Sequence, residues 1–423
     1  MDVHILSFEG PDPYCRAGGI ATRITGLATT LAQLGHETHL WFVGDPDLPG
    51  HDEQGHLHLH RWCQWISRHH PHGVYDGEEG KLADYARSLP PFLFAQMAPR
   101  LRAGGSAVVL AEEWHTADAV LHLDALLRQA GLRHRVQIFW TANNVFGFDR
   151  VDWPRLAAAA RLTTVSRYMK HRMWALGVDP LVIPNGLDSN AFVSPRPAAV
   201  RKFRVQLHAR PVLAKVARFD PDKRWLMAVD IVHAMKERGH RPLLVARGGM
   251  ESHGEEVLGR ARALGLRVVH RRMPSEGGAD GLVRALSDAD GADVVALSSH
   301  LDPEAKAVLY RASAAVLANS GHEPFGLVGL EAMAAGGVAA TGCSGEDYAE
   351  PGRNALVLQT DDPLEFVAFM ERLARQPDEE RALRREGQRT ARRYAWSEVV
   401  RRNLLPRIEL EGARAAPLRA ASQ

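Results

Sequence analysis

Cysteine is scarce in this chain. Cys15, Cys63 and Cys343 stand far apart, and no two of them form a CxxC pair. That spacing excludes a disulfide framework and a zinc ribbon, and it suits a reducing compartment. Charge of one sign is not in excess either. Fifty-two Lys and Arg against 50 Asp and Glu leave a formal net charge of +2, so no bulk charge points to nucleic acid or to an anionic membrane surface. No apolar run reaches the roughly 18 residues of a spanning helix. The opening MDVHILSFEGPD carries acidic flanks and no basic segment before its apolar run, unlike a signal peptide. Short-period repeats and long low-complexity tracts are missing as well. These absences lead to the expectation of a cytoplasmic globular protein with no transmembrane segment and no nucleic-acid partner. They carry no signal for an oligomeric state.

What is present is alternation. The chain has 423 residues, long enough that two domains are the default. Short β-branched runs alternate with longer helical patterns, as in α/β layering around parallel sheets. VHILSF (3–8), ETHLWFV (37–43), AVVLAEE (107–113), VQIFWTA (136–142), LTTVS (162–166) and VIPNG (182–186) form a first series. PVLAKVARF (211–219), RPLLVARGG (241–249), LRVVHRR (266–272), DVVALSS (293–299), AVLANS (315–320) and GGVAATG (336–342) form a second. Between them, SPRPAAV (194–200) reads as a hinge or linker. The expectation is an α/β protein of two Rossmann-like domains, with parallel sheets facing an interdomain cleft. The N-terminal domain spans 1–195 and the C-terminal domain 200–392. A C-terminal helix and tail, 393–423, is free in this reading to pack on either half.

Ligands of such sheets sit outside the carboxyl ends of the strands, so the residues that follow strands carry the functional reading. After the first strand, Gly18 and Gly19 stand at a helix start, where free amides and the helix dipole favour an anion, with Arg16 nearby. A tight turn that happens to hold two glycines is the plainer alternative. In the second half, Arg218 and Lys223 flank the turn Asp220-Pro221-Asp222, and two cations so placed can converge on a diphosphate leaving group. An ordinary solvated Arg and Lys is the alternative, although a helix start prefers acids.

SGHEPFGLVGLEAMAAGG (320–337) is the most informative stretch. Gly326 and Leu327 open a helical pattern whose amides can cradle phosphate. Glu323, in the turn before it, can reach a sugar hydroxyl. Glu331 lies inside an Ala-, Leu- and Met-rich helix, where a carboxylate is costly unless it accepts hydrogen bonds, and two ribose hydroxyls would supply them. Carboxylate, amides, carboxylate describes a nucleotide sugar laid along a helix N-terminus.

With RFDPDK (218–223), VIPNGLD (182–188), TTVSRYMKHRM (163–173) and RAGGIATRITGLATTLAQLGHE (16–37), this stretch resembles the group 1 retaining nucleotide-sugar glycosyltransferases. These have two Rossmann domains (the GT-B type) and include glycogen, starch and sucrose-phosphate synthases. The resemblance runs along nearly the whole chain. It implies that Arg218 and Lys223 hold the diphosphate, Glu323 the donor sugar and Glu331 the ribose. The amides of Gly326 and Leu327, with Gly18 and Gly19, would surround phosphates and sugar. It also implies retaining hexosyl transfer, with glucose the hexose the resemblance tilts toward, to a carbohydrate or other hydroxyl acceptor such as an α-glucan or small sugar, with no cofactor and no catalytic metal. UDP, ADP and GDP donors all fit.

The chain departs from the narrower glycogen-synthase pattern at one place and from a pattern of the wider family at another. TANNVFGF puts Asn143 where that group has a His, while EEWHTAD keeps His115 and offers Glu113 as the acid. GEDYAEPGRNALVL (345–358) replaces a Gly-Gly-x-x-Glu pattern. An amide can hydrogen-bond a sugar hydroxyl but cannot carry a proton. A nucleotide-sugar epimerase or phosphorylase on the same fold, and a non-catalytic nucleotide-sugar-binding regulator, are the competing readings.

The histidines of GHLHLHRWCQWISRHHPHG (55–73) admit a metal site of His56, His58 and His60 on one strand face. Strand alternation gives the simpler account: Leu57 and Leu59 inward, histidines outward, then a surface loop. YDGEEGK (75–81) reads as a solvated loop, and REGQRTARR (385–393) as an exposed helix face.

Overall fold

The computed structural model describes residues 1–415 apart from 209, 275–276, 288 and 290. The chain divides into two compact units. The first is Met1–Gly186 together with the segment from Trp396 onward, and the second is Leu187–Ala395.

Among the described residues the first unit is built on eight strands: β1 (Asp2–Leu6), β2 (Glu37–Val43), β3 (His51–Gln54), β4 (Leu57–Trp62), β5 (Ala107–Glu112), β6 (Val136–Ala142), β7 (Arg161–Thr164) and β8 (Leu181–Val182). Their order is β3-β4-β2-β1-β5-β6-β7-β8. All neighbours are parallel except the hairpin β3–β4. The central strands are largely buried and mostly apolar, as expected of a parallel sheet covered by helices on both faces. Strand β5 is buried at every position.

The second unit's sheet holds β9 (Val212–Val216), β10 (Leu243–Arg247), β11 (Val268–Arg271), β12 (Val294–Leu297), β13 (Ala315–Ala318), β14 (Ala339–Thr341) and β15 (Leu356–Val357), in the order β11-β12-β10-β9-β13-β14-β15. All its pairings are parallel. Its core runs from Leu213 and Trp225 through Leu244, Val294 and Leu317 to Leu383.

Three local readings need correction. The proline-rich 194–200 is not wholly a linker, since Pro197 starts a helix, Pro197–Gln206. Proline suits the first helical turn, where its missing N–H has no intrahelical acceptor to satisfy. The stretch 75–81 is not a solvated loop. It enters the helix Glu78–Arg102, and Lys81 is fully buried, its ammonium donating to Tyr14 Oη at 2.7 Å and to the carbonyls of Gly73, Val74 and Asp76. The histidines of β4 are not simply outward either. His58 and His60 are half-buried in a stack of rings with His39 and Trp41, and Gln64–Ser67 is a helix where a surface loop was expected.

The C-terminal segment groups with the first unit. It runs as a helix Trp396–Val399, a π turn Val400–Leu404 and a helix Leu405–Ala415. Trp396 lies so close to Gly186 that a Cβ there would meet its ring at 2.4 Å. The remainder of the expected tail, 416–423, lies outside the described residues. No described helix is long and apolar enough to cross a membrane.

Candidate active site

In the second unit the order β10-β9-β13-β14 places four strand-end loops side by side. Loops far apart in sequence therefore meet. The amide of Gly321 donates to the carbonyl of Asp222 at 2.7 Å, and the amide of Glu323 to the Ser344 hydroxyl at 2.9 Å. Glycine is required where the backbones touch. A Cβ on Gly345 would sit 2.1 Å from the Glu323 carbonyl, and one on Gly342 2.3 Å from that of Ser320.

Within this junction Lys223 Nζ donates to Glu323 Oε2 at 2.6 Å, with both side chains about one-fifth exposed. Lys223 closes a single 3-10 turn, Pro221–Lys223, whose Asp220 carboxylate caps Asp222 N–H. Arg224 follows in left-handed backbone, φ 49°, and pairs with Asp361 at 3.2 Å. Arg218 is exposed on the same loop. Glu251 fixes that loop by accepting from the amides of Phe219 and Gly249 at 3.0 and 3.1 Å, and against the opposing effect of burial these backbone hydrogen bonds, then the Arg218 charge, hold its carboxyl below the ordinary range.

The helix Leu327–Ala334 begins at Gly326, φ 77°, with no side-chain cap. Its first amides are open to an anion, as expected of an uncapped helix start. The Tyr348 hydroxyl donates to the Gly326 carbonyl. A Cβ on Gly326 would meet Glu346 Cγ at 2.7 Å and Glu323 Cγ at 3.3 Å, so two carboxylates flank this glycine. Glu346 is buried, and burial with the nearby Glu323 charge pushes its carboxyl up to about 8. One of its oxygens, Oε1, has no hydrogen-bond partner in the protein. A buried orphan of that kind marks a place for a ligand or a proton.

Glu331 is less buried than its apolar helix suggested and already has a partner: it is 25% exposed, and Lys306 Nζ donates to its Oε1 at 2.9 Å. Asp188 stands close by, its carboxyl raised by burial and then by the Glu331 charge. Beneath the loops, Lys215 on β9 is 1% exposed and donates to Asn319 Oδ1 at 2.8 Å and to the Leu317 carbonyl at 3.2 Å. Burial first, then the Lys223 and Arg224 charges, lower its ammonium to about 7. Sequence reasoning passed over Lys215, although a lysine inside the apolar run PVLAKVARF is itself a signal.

The first unit has a second polar cluster, at the ends of the neighbouring strands β1, β5 and β6. Here the anion cradle expected at Gly18 and Gly19 is partly taken up by a carboxylate of the protein itself. Glu9 Oε2 accepts from the amides of Gly18 and Ala21 at 3.2 and 3.0 Å, which is how a carboxylate satisfies a helix start. Arg16 turns back to donate to the Pro11 carbonyl at 2.7 Å. Glu9 also accepts from the Tyr75 hydroxyl at 2.6 Å.

Asn143 bridges two carboxylates: its amide N–H donates to Glu113 Oε1 and its Nδ2 to Glu112 Oε2, each at 2.7 Å. Its Oδ1 is buried without a partner, which leaves one acceptor for a hydroxyl. Glu112 is further held by Arg23 Nε at 3.0 Å, and Arg23 reaches Asn185 Oδ1 at 2.8 Å. Burial pushes the Glu113 carboxyl up to about 8. Its backbone, φ 68° and ψ 164°, lies in a region that only glycine adopts freely. Strain of that kind costs of order 1–3 kcal/mol and clusters at functional sites. His115 is stacked between Phe8 and Trp114, with Nε2 on Glu78 at 2.8 Å and Nδ1 unpartnered. Burial lowers its pKa, which favours the neutral imidazole. Glu9 and Glu112 escaped the sequence reading, since only their strand-end position hinted at a role.

Residues 17–191 match the family model Glycosyltransferase Family 4, and residues 200–390 match Glycosyl transferases group 1. A search of curated proteins gives no match. Among solved structures, sucrose-phosphate synthase from Thermosynechococcus elongatus is 21% identical, with 97% of this chain and 99% of that chain covered and a TM-score of 0.64. The catalytic domain of starch synthase IV from Arabidopsis thaliana, bound to ADP and acarbose, is 15% identical, with 98% of each chain covered and a TM-score of 0.65. A trehalose-6-phosphate structure from E. coli, bound with UDP-2-fluoro glucose, is 14% identical, with coverage of 94% and 97% and a TM-score of 0.61. At these identities the solved structures speak for the fold, and the two consecutive family models speak for the chemistry. The chain belongs to the group 1 glycosyltransferases of GT-B fold.

Proposed function

We propose that this glycosyltransferase is retaining, and that it moves a hexose, glucose in the first instance, from a nucleotide diphosphate sugar to a hydroxyl of a carbohydrate acceptor. The observation that carries the reading is the Lys223–Glu323 pair at 2.6 Å beside the uncapped start of the helix Leu327–Ala334. It sets a cation for a diphosphate next to a carboxylate for a sugar hydroxyl. The ligands bound in similar structures, ADP with acarbose and UDP-2-fluoro glucose, support a nucleotide in this role.

In the proposed reaction the acceptor oxygen bonds to the anomeric carbon on the face from which the diphosphate departs. The carbon–phosphate-oxygen bond breaks, and the leaving oxygen takes the acceptor's proton. Arg218 and Lys223, with the amides of Gly326 and Leu327, meet the charge that grows on the leaving group. Fixed donors aimed at developing charge are worth roughly 10²–10³ in rate each, so the step asks for neither a cofactor nor a metal ion. Glu323 orients the hexose, and Glu331 with Lys306 receives the ribose hydroxyls. The Oδ1 of Asn143 and the Nδ1 of His115, both buried and without a partner in the protein, serve sugar hydroxyls. Gly18, Gly19 and Arg16 take part only if Glu9 releases the amides it holds. A cytoplasmic location fits a nucleotide-sugar substrate and belongs to the same proposal.

The test is thermal stabilisation by UDP-, ADP- and GDP-linked sugars without added metal, followed by the anomeric configuration of the product by NMR. A donor at 100 times its dissociation constant stabilises by about 2.7 kcal/mol. A shift with one donor and a product that keeps the donor's configuration are expected. An inverted product overturns the retaining mechanism, and binding with neither transfer nor hydrolysis overturns the enzymatic reading in favour of a binding protein.

A further inference from the structure

The edge of the first unit's sheet carries a group that sugar transfer does not use. The antiparallel register of β3 and β4 sets His51 opposite His60 and Glu53 opposite His58. Residues two apart on a strand share a face, and directly opposed residues of a hairpin have Cβ atoms about 4.5–5.5 Å apart. Three imidazoles and one carboxylate thus stand on one face of a two-stranded ribbon. Ligand atoms of His51, Glu53 and His58 lie within 4.8 Å of one another. His51 Nδ1 is 3.3 Å from His60 Nδ1, which is about the spacing of two nitrogens on a tetrahedral ion with metal–nitrogen bonds near 2.0–2.1 Å.

A second layer orients these rings. Glu37 on β2 meets His58 Nε2 at 3.2 Å and His56 Nδ1 at 2.6 Å. His39 Nδ1 lies 3.0 Å from His60 Nε2, and Trp41 lies flat on His60, with centroids 3.7 Å apart. With its proton on Nε2 and given to Glu37, His58 keeps a lone pair on Nδ1. A carboxylate that fixes the far nitrogen of an imidazole is the usual outer support of a metal ligand. His51 and Glu53 are exposed, so side-chain rotation alone can draw them in.

We propose that His51, Glu53 and His58 bind a divalent transition-metal ion of the zinc, cobalt or nickel class on the β3–β4 hairpin, with His60 able to complete the shell. Two imidazoles and a carboxylate select such ions over magnesium and calcium, which take oxygen ligands. The alternative of His56, His58 and His60 is not the arrangement, because the ligand atoms that lie within 4.8 Å of one another among the described residues belong to His51, Glu53 and His58. The ion ties the edge strand β3 to β4, three places from β5 in the sheet order. Its role is therefore to hold the sheet edge rather than to act in transfer.

The experiment titrates the full chain, free of any histidine tag and stripped with chelator, with Co²⁺ by visible absorption and with Zn²⁺ by calorimetry. One ion per chain and the visible bands of a nitrogen- and oxygen-ligated cobalt site are expected. His51→Ala and Glu53→Gln should each weaken binding tenfold or more, with far-UV circular dichroism unchanged in the absence of metal. Glu37→Gln should weaken it less while leaving the stoichiometry at one, and His240→Ala should leave it unchanged. Absence of stoichiometric binding overturns the proposal. So does binding that survives both His51→Ala and His58→Ala.

Discussion

Lys223 and Glu323, one hundred residues apart, meet at 2.6 Å because the strands that precede them, β9 and β13, are neighbours in one sheet. The ion pair is partly exposed, so its worth to folding is small, of the order of 1 kcal/mol or less. Its chemical use is larger. Lys223→Ala should lower kcat with a nucleotide sugar by roughly 10²–10³ while moving the melting temperature little. Glu323→Gln should do likewise and also raise KM for the donor sugar. Steady-state kinetics with calorimetry checks both. Near-normal turnover in either variant would sink the role assignment.

Lys215 gives a reading of donor binding that needs no turnover. Its ammonium is lowered to about 7, so near neutral pH a share of molecules holds it uncharged. A diphosphate above it favours the charged form, and binding near pH 7 to 8 should take up a fraction of a proton per site. Titration calorimetry in buffers of different ionisation enthalpy measures this uptake. Lys215→Met should remove it, and an unchanged uptake in that variant would reject the assignment.

Glu346 makes stability depend on pH. Its folded value, about 8, lies above the unfolded one. The contribution is most favourable below the ordinary glutamate range and is lost as pH rises through about 8. Glu346→Gln keeps the shape without the charge. Its melting temperature should run close to the parent's near pH 5 and exceed it by roughly a few degrees above pH 8. Parallel curves across that window would contradict the raised value.

Two glycines should separate packing from ligand approach. Gly345→Ala brings a Cβ to 2.1 Å from the Glu323 carbonyl, and a buried backbone clash of this kind should cost roughly 1–3 kcal/mol. Gly18→Ala meets nothing within 4 Å at an extended φ of −171° and should leave thermal unfolding unchanged. If Gly18→Ala nevertheless weakens donor binding, the ligand approaches that backbone. If it does not, Glu9 keeps those amides throughout the cycle.

Much of the architecture is legible in the chain itself. Parallel strands buried on both faces read as apolar runs, so VQIFWTA coincides with β6 and ETHLWFV with β2. Positions of Glu323, Gly326 and Lys223 at element boundaries follow from turn residues and helix starts, which are set by neighbours a few places away. Pro197 shows the limit of that local reading, since the same residue opens a linker or a helix according to what packs beyond it. Partner choice is a different matter. That Glu9 closes the amides of Gly18 and Ala21, that Lys306 holds Glu331, and that Lys215 and Glu346 are stripped of water were decided by the tertiary structure. Each depends on which strand ends the sheet order sets side by side, and on how much solvent the packed loops exclude. Periodicity along a chain encodes neither.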